Sequence, residues 1–467
     1  MDLVSAHPGH LNAFFSGSHT FTLDQLRSGV ARELRQQASF MPLEPVSLKS
    51  PNDFAKLFAR FELGAPTILV DPRLDLPKAK LTEIRNGLET KNRPPDARAL
   101  VGLFTSGTTS EGKCIFHSAS SLANIVLSIQ SVVERETNSR SEPRETRRQD
   151  AFTNIATLRS SNPINNPLAT SMSLSSVSGL ALALRAIFTG GGLLLPDEYD
   201  LAAFNQGICS IPGATVALSP ASARSLLNLW RTGASVRPRP LSVALGGSKV
   251  PVRVAEQLHQ FLDCIVTIGY GTTETGPVTA SSLDGIADIR AGTVGTPLAG
   301  VNVAIGSQTH PAHHAGEGAV VVESGSLLSG FVKDGVYREV DRHTAWQTGD
   351  LGRLSNDGRL TICGRADWMI IRGGRLIDPA VIEGALDSIP AVMQALVYGR
   401  PSRVEGEDDV CALIVAAEPG VTLDAVRKSL VAILPASLVP RHLSFVSHLP
   451  MTVDGAVRRG LTGSPRC

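Results

Sequence analysis

The spacing of hydrophobic positions along this chain changes several times, and each change predicts an element. "PTILVD" is a continuous apolar run closed by Asp71, which predicts a short buried strand. "ALVGLF", ending at Phe104, and "CIFHS", starting at Cys114, read as two more strands. The period then lengthens. Leu122, Ile125, Val126, Ile129, Val132 and Val133 recur at helical spacing, with Ser118 or Ser120 placed to cap the helix. From 151 to about 300, strands "TVALS", "LSVALGG" and "CIVTIGYG" alternate with helices "ASARSLLNLW" and "RVAEQLHQFL", as in layered α/β architecture. After about 300 consecutive strands follow: "GVNVAIG", "GAVVVES" and "GRLTICGR". The last hundred residues carry their own helix, "DPAVIEGALDSI", and strands "QALVYGR" and "DVCALIVAA". The pattern therefore predicts an α/β protein of two domains: a large one of layered sheets and helices over 1–366, and a small α+β one over 367–467, divided at "GRADW".

Composition narrows the class. The 467 residues are 42% hydrophobic and 19% charged, with a formal net charge of +1, so a soluble globular protein is expected with no general attraction to nucleic acid or acidic membranes. No basic region followed by an apolar run opens the chain, and no signal peptide is expected. "GLALALRAIFTGGGLLL" is interrupted by Arg185 and three glycines, too broken to span a bilayer. The six cysteines are scattered without a C-x-x-C pair, which fits reduced thiols in a cytoplasm rather than a zinc site or disulfide framework. The charge run "ERETNSRSEPRETRRQD", 134–150, reads as a solvated loop. "HPAHH", 310–314, lies in a Gly/Pro-rich turn between strands and reads as a turn rather than a metal site.

"GTTSEGKC", 107–114, nearly spells the phosphate-binding pattern G-x-x-x-x-G-K-[S/T], with Cys114 where a hydroxyl should stand. In that pattern the lysine opens a helix, whereas here Lys113 is followed by residues of β character. A strand–loop–strand is predicted instead. It can still hold phosphates, because glycines allow close backbone approach, hydroxyls and amides donate, and a lysine adds charge.

The stretch "LFTSGTTSEGKCIFHS" resembles the phosphate-loop signature of the adenylate-forming superfamily, which includes acyl- and aryl-CoA synthetases, nonribosomal-peptide adenylation domains and firefly luciferase. Thr105, Ser106, Gly107, Thr108, Thr109 and Lys113 match that signature; Ser110, Gly112 and Cys114 depart from it. Further segments follow in the family's order. "LGGSKV" resembles the segment lining the adenine, here Gly246, Gly247 and Ser248. "GYGTTETGP" matches Y-G-x-T-E. The resemblance implies that Tyr270 stacks on adenine, that Gly271 and Thr272 line the nucleotide, that Thr273 meets the α-phosphate and that Glu274 holds magnesium. It also implies that Asp350 of "TGD" takes the ribose hydroxyls, that Arg365 contacts the ribose, and that Asp367 is the hinge of a mobile C-terminal lid. His117 ends the phosphate hairpin, and a structural hydrogen bond is its expected role.

By resemblance, the chain uses ATP and Mg2+ to activate a carboxylic acid as an acyl-adenylate. It then passes the acyl group to a phosphopantetheine thiol on CoA or an acyl carrier protein. The acid pocket maps onto "PLATSMSLSSVSGL", 167–180, where Ser175, Ser176 and Gly179, with Gly269, are small and uncharged. An aryl or fatty acyl acid is favoured over an amino acid. One departure stands out: in "LPMTVDGAVRRGL", 449–461, Ala456 occupies the place of the family's lysine, with Arg458 two residues on. Arg458, Lys113 or another cation compensates, or adenylation is slow beside thioester formation, or the chain only binds. Another product, such as a β-lactone, is a further alternative.

Overall fold

The computed structural model describes residues 14–16, 19–21, 23–36, 44–48, 51–71, 78–89, 100–104, 113–138, 167–189, 192–195, 200–231, 237–281, 285–306, 316–341, 344–373, 375–404 and 406–450. They divide into two compact units. The first takes the chain to Val303 together with Val322–Trp346; the second takes Ala304–Val321 and the chain from Gln347.

The first unit is built on two sheets. In the larger, the strands Leu168–Thr170, Thr215–Leu218, Ser242–Leu245 and Ile265–Thr272 run parallel, in that spatial order from the middle of the sheet outward. Thr215–Leu218 is buried throughout and Ser242–Leu245 nearly so, as strands covered on both faces must be, which is why they read as apolar runs and not as alternation. Helices Pro220–Arg231 and Val252–Leu262 turn Leu226, Leu227, Val254 and Leu258 into the same core as Val216, Val243 and Val266. The smaller sheet carries the predicted hairpin: Leu100–Phe104 pairs antiparallel with Cys114–Ser118, and Thr67–Leu69 lies parallel to its first strand. Cys114 is wholly buried in that hairpin, so it stands in a strand and not at the head of a helix.

Helix Ala119–Asn138 follows at once, and Ser118 caps it by accepting the Ser121 N–H at 3.2 Å. Leu122, Ile125 and Val126 pack with Leu180, Ala183 and Leu184 of helix Val177–Thr189. Arg185 is buried between them, donating at 2.9 Å to Gln130, which in turn donates at 2.8 Å to Glu134. The charge run thus begins inside a helix rather than a loop, because Glu134–Glu136 are good helix formers continuing an established helix. Its residues past Asn138, and "HPAHH", lie outside the described residues.

The two sheets are tied near their ends by buried polar contacts. Asp71 accepts from Ser173 at 2.6 Å. His117 bridges farther. Its Nε2 is 2.7 Å from the Thr273 carbonyl and its Nδ1 is 2.6 Å from Ser121 Oγ. The second unit carries residues 304–306, 318–321, 347–354 and 360–365 of a four-stranded sheet, and a three-stranded sheet with helices Pro379–Ser388 and Leu423–Ile433 packed on one core. No described helix is long and apolar enough to cross a membrane.

Burial holds the His117 imidazole at about 4, below its ordinary 6.5, with the Thr273 contact opposing the shift. The folded chain therefore binds the proton less readily than the unfolded chain. Stability from the neutral ring is present above pH 6.5 and is lost as the pH falls through 4. The loss at pH 4 is on the order of 3 kcal/mol. Urea unfolding across this range is expected to show wild-type stability falling more steeply than that of His117→Gln.

Candidate active site

Parallel α/β sheets place ligands beyond the carboxyl ends of their strands. Here that edge is made of Ser171, Leu218, Leu245 and Ile268, with glycines directly after the last two. A Cβ on Gly246 would lie 3.3 Å from the Gly269 carbonyl, so the two chains leave the edge side by side with no side chain between them. Gly247 then turns at φ +81°, and Ser248 beside it is exposed.

At Gly269 the strand Ile265–Thr272 changes partner. Up to Ile268 it pairs in parallel with Ser242–Leu245; from Gly269 it pairs antiparallel with Gly276–Ala280, with an irregularity between Tyr270 and Gly271. The connecting turn holds Thr273 and Glu274, both half-buried. Gly271 has no room for a side chain, since a Cβ there would sit 2.2 Å from the Gly276 carbonyl. Thr272 and Thr275 clamp the turn from its two ends. The Thr272 N–H donates to Thr275 Oγ1 at 3.1 Å, and the Thr275 N–H donates to Thr272 Oγ1 at 3.3 Å. Thr275 is fully buried and also donates to the Gly276 carbonyl at 2.9 Å. From below, the Glu274 carbonyl accepts the Leu328 N–H at 2.8 Å, and the Thr273 carbonyl takes the His117 ring. The backbone carbonyls are tied to the interior, while Thr273 and Glu274 as whole residues stay half-buried.

Lys113 is exposed at the mouth of the hairpin, directly before Cys114. Burial pushes the Cys114 thiol far above its ordinary range, so it is a packing group and no nucleophile. The loop residues Thr105, Ser106, Gly107, Thr108 and Thr109 lie outside the described residues, as do Ala456 and Arg458.

In the second unit, Asp350 and Arg365 are cross-strand neighbours on antiparallel strands, and Arg365 Nη1 donates to Asp350 Oδ1 at 3.0 Å. Asp350 is buried, and its N–H donates to Thr348 Oγ1 at 3.1 Å. Gly349 turns at φ +80° against the guanidinium, where a Cβ would stand 2.9 Å from Arg365 Nη2. Arg365 also reaches toward Asp367 at 3.8 Å and lies 5.3 Å over the Trp368 ring. Asp367 itself is exposed in the short 3-10 turn Ala366–Trp368.

Two residues that shape the site carry no assignment in the motif. Thr275 is visible afterwards as the second member of a Thr-x-x-Thr pair, whose hydroxyls serve each other's N–H. For His117 the sequence predicts only a structural hydrogen bond; its carbonyl partner lies 156 residues away, beyond the reach of any local pattern. Among the described residues no group of three or more His, Cys, Asp or Glu side chains is placed to hold a metal.

Comparison with known proteins gives a consistent answer. Residues 52–332 match the AMP-binding enzyme family, and residues 381–456 match the AMP-binding enzyme C-terminal domain. The sulfoacetate–CoA ligase of Cupriavidus necator is 28% identical over 376 residues, covering 78% of this chain and 66% of that protein. The indoleacetate–CoA ligase of Aromatoleum aromaticum is 28% identical over 59% of this chain and 54% of its own length. The 2-succinylbenzoate–CoA ligase of Listeria monocytogenes is 28% identical over 61% and 58%. The match thus spans just over half to about two thirds of these relatives. Among solved structures, the o-succinylbenzoate CoA synthetase of Bacillus subtilis with its acyl-adenylate OSB-AMP superposes with TM-score 0.77 at 18% identity, covering 100% of this chain and 98% of that one. ATP-bound MatB of Rhodopseudomonas palustris superposes with TM-score 0.76 at 19% identity, covering 98% and 97%. The fold is theirs, and with its large and small domains matched in order, the chain belongs to the AMP-binding enzymes of the adenylate-forming superfamily.

Proposed function

We propose that this chain activates a carboxylic acid with ATP and transfers the acyl group to a phosphopantetheine thiol. The carboxylate oxygen attacks the α-phosphorus, pyrophosphate leaves, and the mixed anhydride makes the acyl carbon electrophilic. The thiol then attacks that carbon, and AMP departs with the bridging oxygen. The observation that carries this reading is the Thr272–Thr275 turn, which holds Thr273 and Glu274 half-exposed at the carboxyl edge of a parallel sheet. The intact Asp350–Arg365 pair supports it, since a carboxylate suits two ribose hydroxyls.

In this reading Tyr270 supports the adenine, Gly246, Gly247 and Ser248 line it, and Thr273 donates to the α-phosphate. The charge of Lys113 and the loop Thr105–Thr109 serve the leaving pyrophosphate. Glu274 is the residue that would hold magnesium. A lone hard carboxylate fits that ion, which takes most of its ligands from phosphates and water. Bound there, magnesium would neutralise phosphate charge. Asp367 is the proposed hinge, with the lid beginning at 367.

The segment 167–180 favours an aryl or fatty acyl acid. Asp71, the buried carboxylate beside it, accepts from Ser173. The relatives named as CoA ligases support CoA as acceptor, with a carrier protein as the alternative. A second reading, a chain that binds nucleotide but adenylates poorly, rests on Ala456 standing in the lysine's place.

Pyrophosphate release with a panel of aryl, fatty and amino acids, with and without CoA or a phosphopantetheinylated carrier protein, tests the proposal. Release that depends on an aryl or fatty acid is expected; ATP binding with no acid-dependent release would leave only the second reading. Ala456→Lys is expected to speed adenylate formation about 30- to 1000-fold while leaving thiol transfer unchanged, because a cation there meets charge that develops only in the first half-reaction. Rapid-quench measurement of both half-reactions checks it.

A further inference from the structure

The strand Cys114–Ser118 does more than close the phosphate hairpin. Its fourth residue, His117, is wholly buried, yet an apolar side chain would fill that place without the cost of desolvating an imidazole. The hydrogen bonds define what the ring does. A carbonyl only accepts, so Nε2 carries the proton and donates to Thr273 O at 2.7 Å. Burial keeps the ring neutral, so Nδ1 is an acceptor and takes the Ser121 hydroxyl at 2.6 Å. The Thr273 carbonyl thus fixes the tautomer, and Ser121, whose one proton has the Ser326 carbonyl at 3.3 Å as its longer alternative, donates to Nδ1 and holds the ring in place.

The bond lands on the peptide that joins Thr273 to Glu274. A peptide inside a turn can rotate as a plate, exchanging the directions of its carbonyl and N–H and swinging the flanking side chains. The threonine clamp fixes the two ends of this turn and leaves the middle peptide to other partners. The Glu274 carbonyl is taken by the Leu328 N–H at 2.8 Å, and the Thr273 carbonyl by His117. Lys113 precedes the same strand by one residue. One rigid strand therefore sets both the end of the phosphate loop and the orientation of the Thr273–Glu274 peptide.

We infer that His117 is a positioning residue: its Nε2–H holds the Thr273–Glu274 peptide in the one orientation that presents the Thr273 hydroxyl and the Glu274 carboxylate to the phosphates and their magnesium. This rests on the proposed roles of Thr273 and Glu274. His117 touches neither substrate nor metal.

Two substitutions divide the ring's functions. The amide nitrogen of His117→Gln reaches the place of Nε2 and keeps the donor to Thr273 O. His117→Asn reaches only the place of Nδ1, so it keeps the Ser121 partner and abandons the carbonyl. Both remove the packed ring and are expected to lower the melting temperature alike. Calorimetric binding of ATP with magnesium and the rate of acid-dependent pyrophosphate release are then read for each. His117→Gln is expected to restore most of both, whereas His117→Asn loses about 10- to 100-fold in kcat with the KM for the acid unchanged. Equal losses in the two variants, tracking their melting temperatures, would overturn the inference. Ser121→Ala is the second test where the Asn variant fails to fold. It leaves the ring and its Nε2 donor but removes the hydroxyl that holds Nδ1 and with it the ring's angle, so a loss in kcat without a change in acid KM is expected, and a loss of melting temperature alone would overturn the inference. Magnesium-ATP binding by a wild type that releases no pyrophosphate would strike the proposed reaction only, and the calorimetric comparison would still decide the role of His117. A wild type that binds no magnesium-ATP would overturn both.

Discussion

A single buried hydrogen bond, from the His117 imidazole to the Thr273 carbonyl, joins the phosphate hairpin to the turn that carries the site's hydroxyl and carboxylate. Those two segments come from different sheets, and neither could set the other's orientation through its own strand pairing. The ring is neutral because it is buried, its tautomer is fixed because the Thr273 carbonyl can only accept, and Ser121 supplies the second partner. The rest of the site depends on this: a half-exposed turn whose interior carbonyls are satisfied from below can present polar side chains outward without paying for reorganisation at the moment of reaction.

The same economy appears twice more. At the sheet edge Gly246 and Gly269 leave the strands side by side because neither has a Cβ to separate them. In the second unit Gly349 lets the backbone turn directly against the Arg365 guanidinium while that group is paired with Asp350. In both places glycine supplies close approach, and at Gly349 the Asp350–Arg365 pair adds rigidity. Close backbone approach is what the proposed grip on phosphates, or on a sugar, would need of each.

The element pattern was readable where burial is one-sided or complete. "TVALS", "LSVALGG" and "CIFHS" hold strands because nearly every strand residue meets a covered face, and Leu122, Ile125 and Val126 mark a helix because only one face does. Asp350 and Arg365 were legible as motif members, and the register that pairs them follows from consecutive antiparallel strands. Thr275 and the reach of His117 were not legible. A reciprocal threonine clamp leaves no periodic signature, and a contact across 156 residues has no local one. Arg185 reads as a break in an apolar helix until Gln130, from another helix, is seen to receive it. The helical start of the charge run at Glu134 has no periodic signature, because its residues are polar on every face, while helix propensity still favours it.

The central claim is that a carboxylate oxygen attacks the α-phosphorus of ATP. An acid labelled with oxygen-18 in its carboxylate tests it most directly, with the products of complete turnover in the presence of the thiol analysed by mass spectrometry. The account predicts AMP carrying one labelled oxygen, since the bridging oxygen leaves with the nucleotide when the thiol takes the acyl group. Unlabelled nucleotide, with the label in inorganic phosphate, would mean attack at the γ-phosphorus and would contradict it.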